Sequence, residues 1–208
     1  MRIAIIGASR GIGNQLLRLA LEAGHEVTAF SRHPEKSSVE HEHLRVIAGD
    51  ILDPDSVAAV TKGQDGVCVC IGIPPTWKPV TVFSEGIRNV LASIRKNTKL
   101  AVITGIGAGD SRGHGGFLYD HLVLPLLLKT IYQDKNRVEE LLQQSSSNWL
   151  IVRPGFLTNN PRTGTYRVVE DLTGIKAGKI SRADVADFIL KQFETPTLFG
   201  KTPLLTCE

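Results

Sequence analysis

Three glycines at close spacing mark the segment of the chain most able to do chemistry. Gly7, Gly11 and Gly13 follow the apolar run of residues 3–6 and precede a helix-like stretch, Asn14 to Ala23. This order of strand, glycine turn and helix is typical of phosphate binding, because glycines let the backbone approach a pyrophosphate whose charge lies at the positive end of the helix. The segment therefore predicts a dinucleotide site.

Two arginines indicate which dinucleotide is bound. A second predicted strand, Glu26 to Phe30, ends in Ser31-Arg32, at the place where NAD-selective sites commonly carry an acidic residue for the ribose hydroxyl. Arg10 lies inside the glycine turn. Guanidinium groups form charge-assisted, often bidentate bonds to phosphates, so the pattern favours NADP(H) over NAD(H). The alternative is that both arginines are solvated surface residues.

Apolar strands and amphipathic helices alternate along the whole chain. This alternation predicts an α/β fold: a doubly wound parallel Rossmann sheet with helices on both faces, in a single domain spanning 1–208. The predicted strands cover residues 3–6, 26–30, 44–48, 65–71, 100–104, 149–152 and 202–206, and the helices cover 14–23, 53–60, 81–96, 134–144 and 181–193. Two segments, 105–132 and 155–180, fall outside this pattern and are predicted to supply the substrate pocket.

Short polar motifs predict where two of the helices begin. Asp53-Pro54 reads as an N-cap followed by proline at the first helical position. Ser181 with Asp184 three residues later resembles a capping box. In contrast, we expect Arg153-Pro154-Gly155 to end the sixth strand.

Composition narrows the class of protein. The 208 residues are 42% hydrophobic and 22% charged, with a net charge of +3 and no apolar run long enough to span a bilayer. We expect a soluble, cytoplasmic protein with no membrane association and no nucleic-acid partner, because the basic residues form no patch. His41-Glu42-His43 reads as a solvated turn, and no metal site is predicted. Cys68 and Cys70 are expected on one strand face as reduced thiols.

Several motifs together resemble the atypical short-chain dehydrogenase/reductases. The resemblance rests on residues 7–13, Gly49-Asp50-Ile51, Ser84 to Val90 and Val152 to Leu157, and it extends over nearly the whole chain. It is strongest with the single-domain branch that contains biliverdin and flavin reductases. Membership in that branch implies a nicotinamide cofactor and hydride transfer.

The resemblance also implies roles for individual residues. Gly7, Ser9, Arg10, Gly11, Ile12 and Gly13 would bind the pyrophosphate and adjoining ribose, with Ser31 and Arg32 at the 2′-phosphate, Asp50 and Ile51 around the adenine, Ile71 and Gly72 along the middle of the cofactor, and Thr104, Lys135, Pro154 and Phe156 around the nicotinamide half. Thr104, Lys135 and Ser111 are the candidate catalytic residues.

One departure from the wider family bears on mechanism. Orthodox members carry Tyr-x-x-x-Lys, but the position four residues before Lys135 is Ile131. Tyr132 has a different helical phase and would need an irregular helix to replace it. A site without a strong general acid suits hydride transfer to a planar conjugated acceptor such as a flavin, quinone or linear tetrapyrrole. The alternative is a non-catalytic NADP(H)-sensing regulatory protein, and either form is expected as a monomer or homodimer.

Overall fold

The computed structural model describes residues 1–36 and 39–207. These described residues form ten strands: β1 (Arg2–Ile6), β2 (Glu26–Ser31), β3 (Leu44–Ala48), β4 (Gly66–Val69), β5 (Lys99–Ile103), β6 (Asn148–Pro154), β7 (Phe156–Thr158), β8 (Arg167–Val169), β9 (Lys179–Ser181) and β10 (Leu204–Thr206). Eight of them form one sheet in the order β3-β2-β1-β4-β5-β6-β10-β8, and β7 pairs with β9 in a small second sheet. The order 3-2-1-4-5-6 of its first six strands is that of a Rossmann fold.

The central sheet is parallel except at one edge. β1 pairs in parallel with β2 on one side and with β4 on the other, with Ile5 opposite both Ala29 and Cys68. β8 runs antiparallel to β10, with Leu205 opposite Val168. The doubly wound sheet is therefore confirmed, with one antiparallel edge strand added.

Six α-helices connect the strands: α1 (Gly11–Glu22), α2 (Pro54–Thr61), α3 (Val82–Ser93), α4 (Leu124–Leu127), α5 (Lys129–Gln144) and α6 (Arg182–Glu194). A π-helical turn, Tyr119–Val123, leads into α4. None of the helices in residues 1–36 and 39–207 is both long and apolar enough to cross a membrane.

Two hydrophobic clusters lie on opposite faces of the sheet. α1 and α6 cover one face around Leu16, Leu17 and Phe193, while α2, α3 and α5 cover the other around Ile87 and Leu142. All five side chains are buried, and burying each of them contributes about 1.5–3 kcal/mol relative to exposure. This packing brings the carboxyl ends of β1, β2, β4, β5 and β6 to one edge.

Local hydrogen bonds fix where the helices begin. Asp53 caps α2 by accepting from the N–H of Asp55, and Ser181 caps α6 by accepting from the N–H of Asp184, so both predicted caps are confirmed. The start of α3 is capped from another helix, because the buried carboxylate of Asp134 in α5 accepts from the N–H groups of Phe83 and Ser84.

Some predicted boundaries are wrong. β6 continues through Arg153 to Pro154, because Pro154 occupies a position where its missing N–H is not needed by the ladder and its carbonyl accepts from Ile106. α5 begins at Lys129, five residues before the predicted start, since the apolar stretch ahead of Asp134 also forms helix. The predicted helix 81–96 ends at Ser93.

Candidate functional site

The turn between β1 and α1 requires glycines, because neighbouring backbone atoms lie very close to it. Gly7 has φ of +94°, and a Cβ placed there would lie 2.9 Å from the carbonyl oxygen of Cys70. A Cβ on Gly13 would overlap the carbonyl oxygen of Gly7 itself. Only glycine is compatible with both positions, so the turn stays tight over the end of β4 and directly precedes the helix.

The first turn of α1 directly follows the glycine turn. Arg10 is the N-cap residue and makes no side-chain cap hydrogen bond, and no acidic side chain lies in the first helical turn. The positive end of the helix is thus left for an external anion. An arginine at the N-cap adds a positive charge where a serine or aspartate would ordinarily occupy the backbone donors.

A cleft of about 320 Å³ runs from the glycine turn along the carboxyl ends of the strands. It collects nine of the residues predicted from the sequence: Gly7, Ser9, Arg10, Ser31, Arg32, Asp50, Ile51, Ile71 and Gly72. Residues from four separate strand ends therefore meet in one concave surface, as expected beyond the carboxyl ends of a parallel sheet.

One end of this cleft is cationic. Arg10 and Arg32 both line it with exposed side chains, and His33 lies beside them. The Nδ1 atom of His33 is 3.2 Å from the carboxylate of Glu35, the nearest acid after β2. Two arginines thus line one cleft, and the first acidic residue after β2 is paired with the histidine and does not line it.

Main-chain contacts shape the part of the cleft that follows β3. Asp50 accepts from the N–H of Leu52 at 3.0 Å, which closes a turn after β3. The buried Ile51 presents its carbonyl to the side-chain amide of Asn89 at 2.9 Å. Asn89 belongs to the Ser84 to Val90 motif, so the structure gives that motif a physical role: it ties α3 to the floor of the cleft.

The residues predicted to surround the nicotinamide half lie near the ends of β5 and β6, where the surface is tighter. Thr104 and Lys135 line a separate void of about 10 Å³, and only Ile71 is shared with the main cleft. The Nζ of Lys135 donates to the carbonyl of Thr104, and burial lowers the pKa of Lys135 to about 8 while nearby Glu139 opposes the shift. Lys135 is therefore placed to exchange a proton or donate a hydrogen bond near neutral pH.

The Thr104 hydroxyl is engaged by a neighbouring carboxylate. It donates to the carboxylate of Glu139 at 2.7 Å, and Glu139 in turn receives two bonds from Arg153, at 3.1 and 2.6 Å. Arg153 also pairs with Asp110. We name the connected residues Thr104, Glu139 and Arg153 the buried charge network, which the exposed Asp110 contacts from outside. It contributes rigidity at the base of the site and leaves Thr104 no free hydroxyl proton.

Ser111, the third candidate catalytic residue, is fully buried. Its hydroxyl donates to the carbonyl of Ala108 and accepts from the N–H of Gly107 at 3.0 Å. These contacts close the turn of residues 107–111 and favour a structural role over a catalytic one. The loop is further held by the bond from the N–H of Gly109 to Asn136 at 2.9 Å.

Tyr132 lies in a regular helix, so its phase relative to Lys135 is not rescued by an irregularity. Its hydroxyl is 2.9 Å from that of Tyr119, which is itself 3.1 Å from the carbonyl of Ile106. A carbonyl can only accept, so Tyr119 donates to Ile106 and Tyr132 donates to Tyr119. Burial raises the pKa of Tyr132 well above its ordinary value, and the Lys135 ammonium lies over its ring, 5.1 Å from the centroid.

The remaining predicted residues lie around this region. Gly11, Ile12 and Gly13 form the first turn of α1, behind the cleft surface. Pro154 is buried at the end of β6, and Phe156 is half-buried with its ring 5.1 Å from that of Tyr119, edge to face. Sequence reasoning missed His33 and Cys70, which also line the cleft. Their positions directly after Arg32 and at the end of the fourth predicted strand were the available signals.

The comparisons with known proteins agree with this geometry. The model of the NAD(P)H-binding family matches residues 7–196. YwnB of Bacillus subtilis, an uncharacterized protein, is 30% identical over 94% of this chain and 93% of its own. The solved structure of ChuY, an anaerobillin reductase of Escherichia coli O157:H7, superposes with a TM-score of 0.82 at 23% identity, covering 99% of this chain and 97% of ChuY.

A second solved structure has a similar likeness. SP1627 of Streptococcus pneumoniae, provisionally named an NADH-flavin reductase, superposes with a TM-score of 0.77 at 23% identity and full coverage of both chains. At these identities the two structures establish the shared fold, and the matched family model together with the glycine turn establishes the cofactor class. The chain belongs to the NAD(P)H-binding Rossmann family, in which it resembles the atypical short-chain dehydrogenase/reductases.

Proposed function

We propose that this protein is an NADPH-dependent reductase that delivers hydride to a planar conjugated acceptor such as a flavin, quinone or linear tetrapyrrole. The observation that carries the proposal is the cleft that joins the uncapped start of α1 to Arg10 and Arg32. When bound, NADPH supplies the hydride. The chain's own residues bind the cofactor, orient it and shape the surface on which the acceptor lies.

The cofactor preference follows from charge. Arg10 and Arg32 approach the cleft from two different strand ends, so a phosphate between them would receive guanidinium bonds from both sides. NADH lacks that phosphate and would leave both side chains in solvent. We therefore expect the protein to bind NADPH more tightly than NADH.

The hydroxyl groups near Lys135 support an acceptor that needs no strong general acid. The protons of Thr104, Ser111 and Tyr132 are directed to Glu139, Ala108 and Tyr119, respectively. A ketone acquires alkoxide character on hydride transfer and depends on a positioned acid. A conjugated ring delocalises the added charge and can take its proton from solvent.

An exposed apolar rim beside the nicotinamide half supports the same class of acceptor. Trp77 is 82% exposed, and its indole N–H donates to the carbonyl of Leu126 at 3.1 Å, which joins the loop after β4 to α4. Phe117 and Leu118 are also largely exposed on the segment that precedes α4. Exposed aromatic and aliphatic groups next to a cofactor cleft suit a flat, poorly hydrated ligand.

An acceptor panel tests the proposal. Purified protein is supplied with NADPH and, in turn, FMN, a benzoquinone, biliverdin, an aldehyde and a simple ketone, and loss of NADPH absorbance is followed. Efficient turnover of one or more planar acceptors supports the reductase. Turnover confined to the ketone or aldehyde would reject the planar-acceptor assignment, and tight NADPH binding with no turnover would favour the cofactor sensor.

A substitution on the rim tests where the acceptor lies. Trp77→Ala removes a large exposed ring, and loss of one aromatic stacking contact is expected to raise the acceptor KM by about 5- to 10-fold with little change in NADPH affinity. Leu52→Ala, an exposed apolar side chain after β3, is the matched control. An unchanged acceptor KM in Trp77→Ala would show that the acceptor does not bind against this rim.

A further inference from the structure

Two thiols lie in contact at the floor of the cofactor cleft. The Sγ atoms of Cys68 and Cys70 are 3.2 Å apart on the same face of the chain, and both cysteines are free. Cys68 is fully buried in β4, whereas Cys70 follows that strand and lines the cleft. The pair therefore joins one fully buried cysteine to one that is partly exposed beside the cleft.

The backbone of Cys70 supports the glycine turn. Its N–H donates to the carbonyl of Ile6 at 2.8 Å, and its own carbonyl lies under Gly7, 2.9 Å from where a Cβ would stand. A displacement of Cys70 is thus transmitted directly to the loop that faces the pyrophosphate. The thiol pair and the phosphate-binding turn share one piece of main chain.

We propose that Cys68 and Cys70 form an oxidation site for two-electron oxidants of the peroxide class, and that its oxidation state and nicotinamide cofactor binding oppose each other. This goes beyond hydride transfer to an acceptor and rests only on cofactor binding in the cleft.

The chemistry divides between the two sulfurs. The Cys70 sulfur attacks one peroxide oxygen, the O–O bond breaks, and Cys70 becomes a sulfenic acid as one water leaves. The Cys68 sulfur then attacks the sulfur of Cys70, an S–S bond forms, and the thiol proton leaves with the displaced hydroxide as a second water. Peroxide is reduced to two waters and two thiols are oxidised to one disulfide. Burial raises the pKa of Cys68, which favours Cys70 as the first to react.

Geometry explains the opposition to cofactor binding. Cα atoms two residues apart on a strand are separated by about 6.6 Å, and Cβ atoms on one face have about the same spacing. A disulfide needs Cβ atoms about 3.8 Å apart and sulfurs about 2 Å apart. The end of β4 must therefore pucker when the bond forms, which moves the Cys70 carbonyl beneath Gly7. A strained disulfide of this kind is readily reduced, so the site is reversible.

The test begins with the whole protein and no cofactor. The protein is treated with increasing concentrations of hydrogen peroxide. Free thiols are then counted, and the mass of the peptide that contains both cysteines is measured by mass spectrometry. We expect loss of two thiols, a peptide lighter by two hydrogens, recovery with dithiothreitol, and an unchanged result in Cys207→Ser. Cys68→Ala should instead leave a Cys70 sulfenic acid that dimedone traps. Overoxidation of Cys70 in the wild type with no disulfide would overturn the proposal.

The coupling between thiol oxidation and cofactor binding is measured separately. NADP⁺ at about ten times its Kd should slow disulfide formation by about tenfold, since only the free protein reacts. Reciprocally, the isolated disulfide form should bind NADPH about 5-fold or more weakly than the reduced form, and Cys70→Ser treated with peroxide should show no such change. Equal NADPH affinity in both forms would refute the coupling, and failure of the acceptor panel alone would leave these results unaffected.

Discussion

The two halves of the site are organised by different parts of the polypeptide. The cofactor half, from β1 to α3, is built from strand ends, a glycine turn and main-chain bonds, and its shape follows from the sheet itself. The half that we propose for the acceptor, in residues 105–132 and 155–180, is built from loops and short elements held by side-chain contacts, such as the pairing of Asp110 with Arg153. The first half is therefore specified by local sequence pattern, and the second by tertiary contacts between distant residues.

We expect the largest loss of NADPH affinity from a substitution in the half whose shape depends on the backbone. Gly13→Ala places a methyl group against the carbonyl oxygen of Gly7, which must shift. Overpacking of this kind costs about 1–3 kcal/mol, and we expect up to about 100-fold weaker NADPH binding. Calorimetric titration measures the affinity, and circular dichroism confirms that the fold persists. Affinity within about twofold of wild type would show that the turn tolerates a side chain.

Removing one charge from the cationic end should have the next largest effect. Arg32→Ala is expected to weaken NADPH binding by about 10- to 100-fold through loss of a charge-assisted bond, while NADH binding changes little. Arg45→Ala, an exposed arginine on β3 outside the cleft, is the matched control. Equal affinity of the wild type for NADPH and NADH would contradict the assigned preference.

Lys135 connects the two halves and gives a pH signature. Its pKa is lowered from 10.5 to about 8, so the unfolded chain binds more protons than the folded one between these values. Its contribution to stability therefore rises with pH across this window and is constant below it. If its ammonium donates to the nicotinamide ribose, NADPH affinity falls over the same range.

Lys135→Met separates these effects from other titrating groups. The difference in melting temperature between wild type and variant should shift in favour of the wild type from about pH 8 to about pH 10, and the difference in NADPH affinity should shrink. Thermal unfolding and titration across this range provide both values. Parallel pH profiles in the two proteins would show that Lys135 does not titrate there.

The smallest effect is expected at Tyr132. Because its hydroxyl donates to Tyr119, Tyr132→Phe should retain turnover within about tenfold of wild type, well short of the 100-fold or greater loss typical of an essential general acid. Tyr119→Phe is the companion variant. Steady-state kinetics with the best planar acceptor decides the point, and a loss beyond about 100-fold would make Tyr132 the proton donor.

The same division explains what the sequence could predict. The parallel sheet and the Asp53 and Ser181 caps follow from periodicity and short motifs, and the family resemblance supplies the nine cleft residues. The strands β7, β8 and β9 have only three residues each and lie in a loop-like sequence, so their pairing depends on partners that local pattern does not show. The contact of Thr104 depends on Glu139, which is distant in sequence, and the contacts of Ser111 depend on the path of the 107–111 turn. Neither can be inferred from residue spacing.

The buried charge network also matters to anyone who wishes to redesign the acceptor specificity. Glu139 and Arg153 are almost fully buried, and removing one partner of such a pair costs about 3–5 kcal/mol because a charge is left alone. A mutational library that randomises Glu139 or Arg153 would therefore lose most of its members to misfolding. Diversity directed to the exposed positions of 117–127 leaves this foundation intact and changes only the surface that a new acceptor would meet.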